Sequence, residues 1–346
     1  MNALHPGRLA VAGALALAVL AGCLMTGAIA ATTIARLSLD FKFEGPSAPF
    51  LLALDKGYYK TEGLDLTIDP AADSLESITR VASGSYEIGF GDINALIKFR
   101  DVHPEVPIKA VFMVYNRPPF AVIGRKSRGI ERPKDLEGKK LGAPPADSAY
   151  AQWPIFVQAN GIDASKVTIE NVSFPVREPM LAAGQVDAVT GFSFSSFVNL
   201  KDRGVAPDDI TVLMMADYGV NLYGNAIFVS PKFLGENPYA VKRFLRAFLK
   251  GLKETVKSPA TAVESVLRRN DAAKKTIELE RLNIALRDNI VTPEVKAAGY
   301  GGIDTVRFEK AIDQIGTAYK WKTGKPKPDD IFDASYLPPA PDRKAN

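Results

Sequence analysis

Residues 80–91 read RVASGSYEIGFG, and residues 180–191 read MLAAGQVDAVTG. Ala82 answers Ala182, Gly84 answers Gly184, Glu87 answers Asp187 and Gly91 answers Gly191. Each phrase has the form of a helix end, a Gly suited to a left-handed turn, a short apolar strand and a second Gly. A single βα unit closed by Gly also reads this way. The repeat becomes an argument for two similar halves only if the surrounding elements repeat as well.

They do. Around the first phrase, IARLSLDF (34–41) and LDLTI (64–68) are strand-like, and SAPFLLALDKGYYKTEG between them is helical, with Ser47 as a candidate cap and Pro49 in the first turn. DSLESITRVASG opens with Asp73 and carries Glu76 at capping-box spacing. Asp92 can cap INALIKFR, and IKAVFMVY (108–115) is the continuous apolar run expected of a covered strand. After Arg125 the alternation restarts. RPKDLEGKKLGAP leads into a strand, and DSAYAQWPIFVQANG is a helix with Pro154 expected to kink it. SKVTIENV, VDAVTGF and DITVLMMADYG are strands, separated by the helices REPMLAAG and SFSSFVNLKDRG. Strand–helix alternation in both halves predicts an α/β chain whose two lobes each contain a mainly parallel sheet flanked by helices.

Residues 237–288 are almost wholly helical in pattern; Val241, Phe244, Leu245, Phe248 and Leu252 recur at spacings of three and four and form a core-facing stripe. The predicted organisation is lobe one over 33–123 plus 226–335, lobe two over 124–225, and a frayed Pro- and charge-rich tail over 336–346. FAVIGR and NAIFVS are the expected crossings between the lobes.

Composition narrows function. The 346 residues are 47% hydrophobic and 24% charged, with net charge +4 and no basic block of the kind that marks a nucleic-acid surface. Residues 1–30 read as a secretory signal peptide, with Arg8 ahead of LAVAGALALAVLAG. Two exits are written there: AIA before Ala31 is a cleavage site, and LAGC would make Cys23 a lipidated N-terminus and a membrane anchor. Both lead out of the cytoplasm. Cys23 is the only cysteine, and His103 is the only histidine beyond the leader. Cys–His and Ser–His nucleophile pairs and His/Cys metal sites therefore lack their usual residues. The expectation is a binding protein without cofactor or metal, not an enzyme.

FLLALDKGYYKTEGLDLTI, RVASGSYEIGFGD, PKDLEGKKLGAP and MLAAGQVDAV, in that order, resemble the substrate-binding proteins of ABC transporters in the nitrate/sulfonate/taurine and thiamine-pyrimidine-precursor group. The resemblance spans about residues 33–320. It implies a monomeric periplasmic protein of the type II binding-protein fold, with two crossings, a ligand cleft at the hinge, and a permease and its ATPase as partners. The same two-lobe module could serve as a sensor. The related yeast-type pyrimidine synthases resemble the chain at the level of fold, but their active-site histidine and cysteine cluster have no counterpart here.

In open α/β sheets, ligands lie beyond the carboxyl ends of strands and at helix N-termini. That rule selects Lys42, Phe43, Asp92, Tyr115, Asn116 and Arg117 in the first lobe, and Asp147, Ser148, Arg177, Phe192, Ser193, Phe194 and Tyr218 in the second. Phe41 joins the aromatics that could stack on a flat solute. Gly89, Gly91 and Gly191 are expected to permit close backbone approach. Asp147 or Ser148 is expected to cap a helix, and Ser148 with that helix's free N–H groups could also hold an anion. Lys42, Arg117 and Arg177 either grip an anionic solute or form ion pairs that close the lobes, with Glu44 and Glu178 as partners. The expected ligand is a small organic anion or aromatic: a sulfonate, a carboxylate or a pyrimidine precursor.

Overall fold

A computed structural model describes Met1 and residues 32–345. The expected signal peptide and Cys23 lie outside the described residues. Ten strands form two five-stranded sheets of the same design. The first contains β1 (Thr33–Ser38), β2 (Leu64–Asp69), β3 (Ile88–Asp92), β4 (Lys109–Met113) and β10 (Asn225–Val229), ordered β2-β1-β3-β10-β4. The second contains β5 (Phe120–Arg125), β6 (Lys140–Ala143), β7 (Thr168–Asn171), β8 (Ala188–Phe192) and β9 (Ile210–Met214), ordered β7-β6-β8-β5-β9. In each sheet one strand, β10 or β5, pairs antiparallel with both neighbours. That strand is the one delivered by the chain as it crosses from the other half, so it enters its sheet from the opposite end. β5 lies wholly in the second sheet, and the first crossing therefore ends before Phe120; the expected boundary at 123 cuts through a strand.

The principal helices are α1 (Ala48–Asp55), α2 (Ser74–Ala82), α3 (Ile93–Val102), α4 (Trp153–Asn160), α5 (Phe174–Ala182), α6 (Ser193–Asp202), α7 (Pro238–Lys257), α8 (Lys275–Ala285) and α9 (Thr305–Ala318). The repeated phrase is now explained. Helix α2, strand β3 and helix α3 occupy the positions of α5, β8 and α6 at a constant offset of one hundred residues. Gly84 and Gly184 both take the left-handed conformation, at φ 75° and 72°. The acidic residue three places later satisfies the edge of the neighbouring strand. Glu87 accepts from the Arg36 N–H at 2.7 Å, and Asp187 from the Lys140 N–H at 2.9 Å. Each also holds an arginine, Arg36 or Arg128, that reaches the carbonyl of Gly84 or Gly184. The glycines further along the phrase are set by crowding. A Cβ on Gly89 would fall 2.1 Å from the Phe228 ring, and one on Gly191 would fall 2.5 Å from Ser196 Oγ and 3.0 Å from the Arg177 guanidinium.

The α7 stripe is buried as its spacing predicts. Phe248 lies 4.4 Å from Phe50 between ring centroids, and Phe244 stacks on Tyr59 at 5.3 Å. Burial of each such side chain contributes about 1.5–3 kcal/mol. α1 approaches so closely that a Cβ on Gly251 would meet the Pro49 carbonyl at 2.5 Å.

Local expectations are corrected in four places. Pro154 sits in the first turn of α4, where its missing N–H costs nothing, and kinks no helix. Ser47 does not cap α1; its hydroxyl donates to the Glu44 carbonyl. Asp73 caps α2 through the Glu76 N–H as expected, but Glu76 reaches back to Ala72 rather than to Asp73. The closing segment is pinned rather than frayed: the Arg343 carbonyl accepts from Tyr300 N–H, its guanidinium donates to the Pro338 carbonyl, and Lys253 donates to the Asp342 carbonyl.

Candidate functional site

A cavity of about 320 Å³ lies between the carboxyl ends of the two sheets, with walls from both halves. The loop after β1 supplies Leu39, Asp40, Phe41, Lys42 and Glu44, and the start of α2 supplies Asp73 and Ser74. From the other half come Asp147 and Ser148 after β6, Phe174, Pro175, Arg177 and Glu178 on α5, and Phe192, Phe194, Ser195, Asn199 and Arg203 along α6.

Aromatic rings from the two halves meet across the cavity. Phe41 contacts Phe174 edge-on at 5.6 Å, and Tyr115 contacts Phe194 edge-on at 6.0 Å. Phe90 and Phe192 extend this frame, against Tyr115 at 5.5 Å and Phe194 at 5.6 Å. Such a frame suits a flat apolar body. The halves are also tied outside the rings. Arg281 on α8 donates to Asn199 Oδ1 at 3.1 Å, and Lys274 pairs with Asp202 at 2.8 Å.

The charged residues divide sharply. Arg177 is not in a loop; it sits on α5, 6% exposed, and is paired with two carboxylates. Nε and Nη2 both donate to Glu178 Oε1, at 2.9 and 2.7 Å, and Nη1 approaches Asp147 Oδ2 at 3.4 Å. Burial pushes the Glu178 carboxyl up, but Arg177 and the Ser196 hydroxyl outweigh it and hold Glu178 below the usual range. Burial pushes Asp147 up, and Arg177 and the Thr190 hydroxyl offset this only in part. Asp147 accepts from Ala149 N–H at 3.0 Å in a local turn, and the helices that follow it, from Tyr150 and from Trp153, start without a side-chain cap, so neither Asp147 nor Ser148 caps a helix as expected.

On the opposite wall, Asp40 accepts from Asn225 Nδ2 at 2.6 Å and has no cationic partner. Burial pushes its carboxyl up to about 7, with the Asn225 hydrogen bond opposing and Glu44 and Asp92 adding to the rise. Glu44 is raised by burial as well, against the pull of Arg281 3.5 Å away. At the rim, Lys42 is exposed, with Nζ 5.2 Å from the Phe41 ring centre.

Of the residues selected from sequence, Lys42, Tyr115, Asp147, Ser148, Arg177, Phe192 and Phe194 line the cavity. The others do not. Phe43 packs on the first core. Asp92 is fully buried and caps α3 through Asn94 N–H at 2.9 Å. The Ser193 N–H donates to the Pro119 carbonyl, and its hydroxyl is buried. Tyr218 packs edge-on against Phe156.

Asn116 and Arg117 belong to the first crossing rather than to the cavity. Arg117 pairs with Asp217. Asn116 donates to Glu294 and accepts from Thr292. Beside it, one Arg307 nitrogen donates to the carbonyls of Asn116 (2.8 Å) on the first crossing and Leu222 (2.9 Å) on the second. Its guanidinium stacks 3.9 Å over Tyr223 and pairs with Glu294. Arg307 thus fastens both crossings at one point.

Sequence reasoning passed over Asp40, Asp73, Ser74, Phe174, Ser195, Asn199 and Arg203, and placed Glu44 and Glu178 only as ion-pair partners. Asp40 had a usable signal, as the residue that follows the last core position of the first strand. Asn199 and Arg203 had none, because they reach the cavity from beyond the first turn of a helix.

A family model described as NMT1/THI5 like matches residues 45–262. The riboflavin-binding protein RibY of Chloroflexus aurantiacus is 28% identical over 64% of this chain and 62% of its own length. The chain therefore spans under two thirds of that relative. The formylaminopyrimidine-binding protein of Halalkalibacterium halodurans is 27% identical over 78% of this chain and 80% of its own. A 4-amino-5-hydroxymethyl-2-methylpyrimidine phosphate synthase of Aspergillus parasiticus is 26% identical over 63% and 65%. Among solved structures, the periplasmic aliphatic sulphonate binding protein SsuA of Escherichia coli superposes with a TM-score of 0.67 over 90% of this chain and 92% of that one, at 11% identity. At that identity the likeness speaks to the fold, which is that of the type II periplasmic binding proteins.

Proposed function

The chain belongs to the NMT1/THI5-like family, and from that premise we propose that it is the solute-capture component of an ABC importer. It takes up a flat aromatic or heteroaromatic molecule between its two halves and passes it to a membrane permease driven by an ATPase. The observation that carries this reading is the pair of aromatic contacts spanning the cavity, Phe41 with Phe174 and Tyr115 with Phe194. A solute seated among these rings touches both halves at once. It therefore favours the closed arrangement by whatever affinity it gains over the open one. The relatives that bind riboflavin and formylaminopyrimidine support a ring-shaped ligand.

The anionic half of the expectation loses its main support. Arg177 is neutralised by two carboxylates and Arg117 by Asp217, which leaves Lys42 and Arg203 at the rim. On this reading the protein works in the periplasm as a monomer, free or held through Cys23, a location that the leader-like composition of residues 1–30 supports.

The synthase relative favours a second reading, an enzyme acting on a pyrimidine. Against it, the single histidine beyond the leader, His103, is exposed and faces Glu105 at 3.3 Å, and it lies outside the cavity lining. The test is incubation with a panel of pyrimidines, flavins, sulfonates and carboxylates, followed by mass spectrometry of the protein-bound fraction. Capture predicts an aromatic solute recovered unchanged at one equivalent. Recovery of a converted product refutes capture and establishes the second reading.

A further inference from the structure

Acceptors cluster on one wall of the cavity. Asp40 and Glu44 open into it from one loop, and both are carboxylates. The Asn225 amide that meets Asp40 has spent an N–H on it. Behind them the buried acceptor atoms Asn225 Oδ1, Asp92 Oδ2 and Asn94 Oδ1 have no hydrogen-bond partner. Of the donors nearby, the Ser47 hydroxyl is committed to the Glu44 carbonyl, Ser195 Oγ approaches Glu44 only at 3.5 Å, and Tyr115 and Lys42 also line the cavity. Arg281 reaches Glu44 from behind, also at 3.5 Å, and is shared with Glu278. A solute filling this end meets the Asp40 and Glu44 carboxyls, so N–H donors on it are matched there, and positive charge on them is favoured.

We propose that Asp40 is the specificity-determining residue of the cleft, selecting aromatic solutes that carry an amine or amidine group and making their capture compete with protons. This rests on reading the cleft as a solute trap. The carboxylate form of Asp40 receives the donor, and the protonated form cannot accept it as strongly. The ionisable groups facing Asp40 are Glu44 on the same loop, Asp92 at the end of β3 and the Tyr115 phenol on the first crossing. None is a cation, so only hydrogen bonds, from the backbone and from Asn225, favour the ionised form of Asp40 against burial. Its carboxyl accordingly titrates at about 7. A donor-bearing solute expels that proton, and its affinity falls as the pH drops below 7.

Benzamidine, benzamide and benzoate test the assignment. All three are flat and nearly the same size, and their charges of plus one, zero and minus one stay constant between pH 6 and 8. Isothermal titration is expected to rank benzamidine above benzamide and benzoate last. Benzamidine should bind roughly tenfold more weakly at pH 6 than at pH 8, following the Asp40 titration. Asp40→Asn should cost benzamidine at least about tenfold at pH 8 and flatten its pH dependence. Asp40→Ser serves if the amide variant does not fold, and the charge ranking itself needs no variant. Benzoate binding tightest, benzamidine affinity indifferent to pH, or no binding of any of the three at millimolar concentration would each overturn the assignment. Tight benzoate binding would do so while leaving solute capture intact. Release of a chemically altered solute would instead overturn capture and leave the charge ranking untouched.

Discussion

Replacing Arg177 with Met separates a structural tie from a ligand grip. The substitution keeps most of the side chain's length and removes the guanidinium that joins Glu178 to Asp147. Both carboxylates are 3% exposed, so the variant strands two buried acids. Removing one partner of a buried ion pair costs about 3–5 kcal/mol. Unfolding entropy of about 2.1 cal/mol/K per residue, over roughly 310 described residues, is near 0.7 kcal/mol/K. The ligand-free melting temperature should therefore fall by about 4–7 °C at pH 7.5. The loss has a pH signature. Arg177 holds Glu178 below its ordinary range, so this contribution is full at neutral pH and disappears as pH falls through that lowered value. In the variant the stranded acids protonate readily. The gap between variant and wild type should narrow as the pH is lowered into the carboxylate range. A second change, Glu178→Gln, should recover part of the loss. The assay is differential scanning calorimetry without ligand from pH 4 to pH 8, with solute binding measured in parallel. An unchanged ligand-free melt combined with collapsed affinity for an anionic solute would refute this reasoning and restore Arg177 as a ligand-gripping residue.

Asp92→Asn keeps the cap on α3 and removes a charge that burial makes costly. Asp92 titrates at about 6 against an ordinary 3.8, so wild-type stability declines as pH rises between those values and is level above them. The variant should gain up to about 3 kcal/mol at pH 7.5 and nothing near pH 3.5; an equal gain at both, read by melting temperature, would count against the assignment. Phe41→Ala removes an edge contact worth about 0.5–1.5 kcal/mol. Solute affinity should fall about three- to tenfold or more, and small-angle scattering should show a more open average shape; unchanged values in both would sink the idea that these rings span the cleft. Arg307→Leu unties both crossings from one point. Hydrogen exchange should quicken at residues 115–118 and 221–224, and protection equal to wild type would show that the clamp is dispensable.

The duplicated framework was legible in two short phrases because one tertiary demand is met twice. A Gly must take the left-handed turn, and an acid three residues on must satisfy an adjacent strand edge. Both needs leave a residue type at a set distance. The cavity was half legible. The rule of strand carboxyl ends found Tyr115, Asp147, Phe192 and Phe194. It failed at Asn116 and Arg117, where the crossing chain turns its side chains toward Glu294 and Asp217. Of the two readings open for Arg177, the structure shows the ion pair with Glu178, within one half rather than between the lobes. Its partner Glu178 is adjacent in sequence, but Asp147 lies thirty residues away and meets it only through the packing of α5 on β6. Asp40 was passed over because the alternation over 34–41 runs it into the first strand, whereas β1 ends at Ser38 and leaves Asp40 in the loop beside Asn225 and the cavity.

Positions 92 and 192 are the same place in two copies of one scaffold, each ending a strand and starting a helix. In the first, the side chain accepts from the helix N–H groups and is committed to that task. In the second, the helix starts without a side-chain cap, and Phe192 lines the cavity instead. One jaw of the molecule is therefore mechanically conservative and the other is adjustable. Exchanging the ring at 192 would reshape the cavity wall without touching a helix cap, whereas the same exchange at 92 would remove the cap of α3.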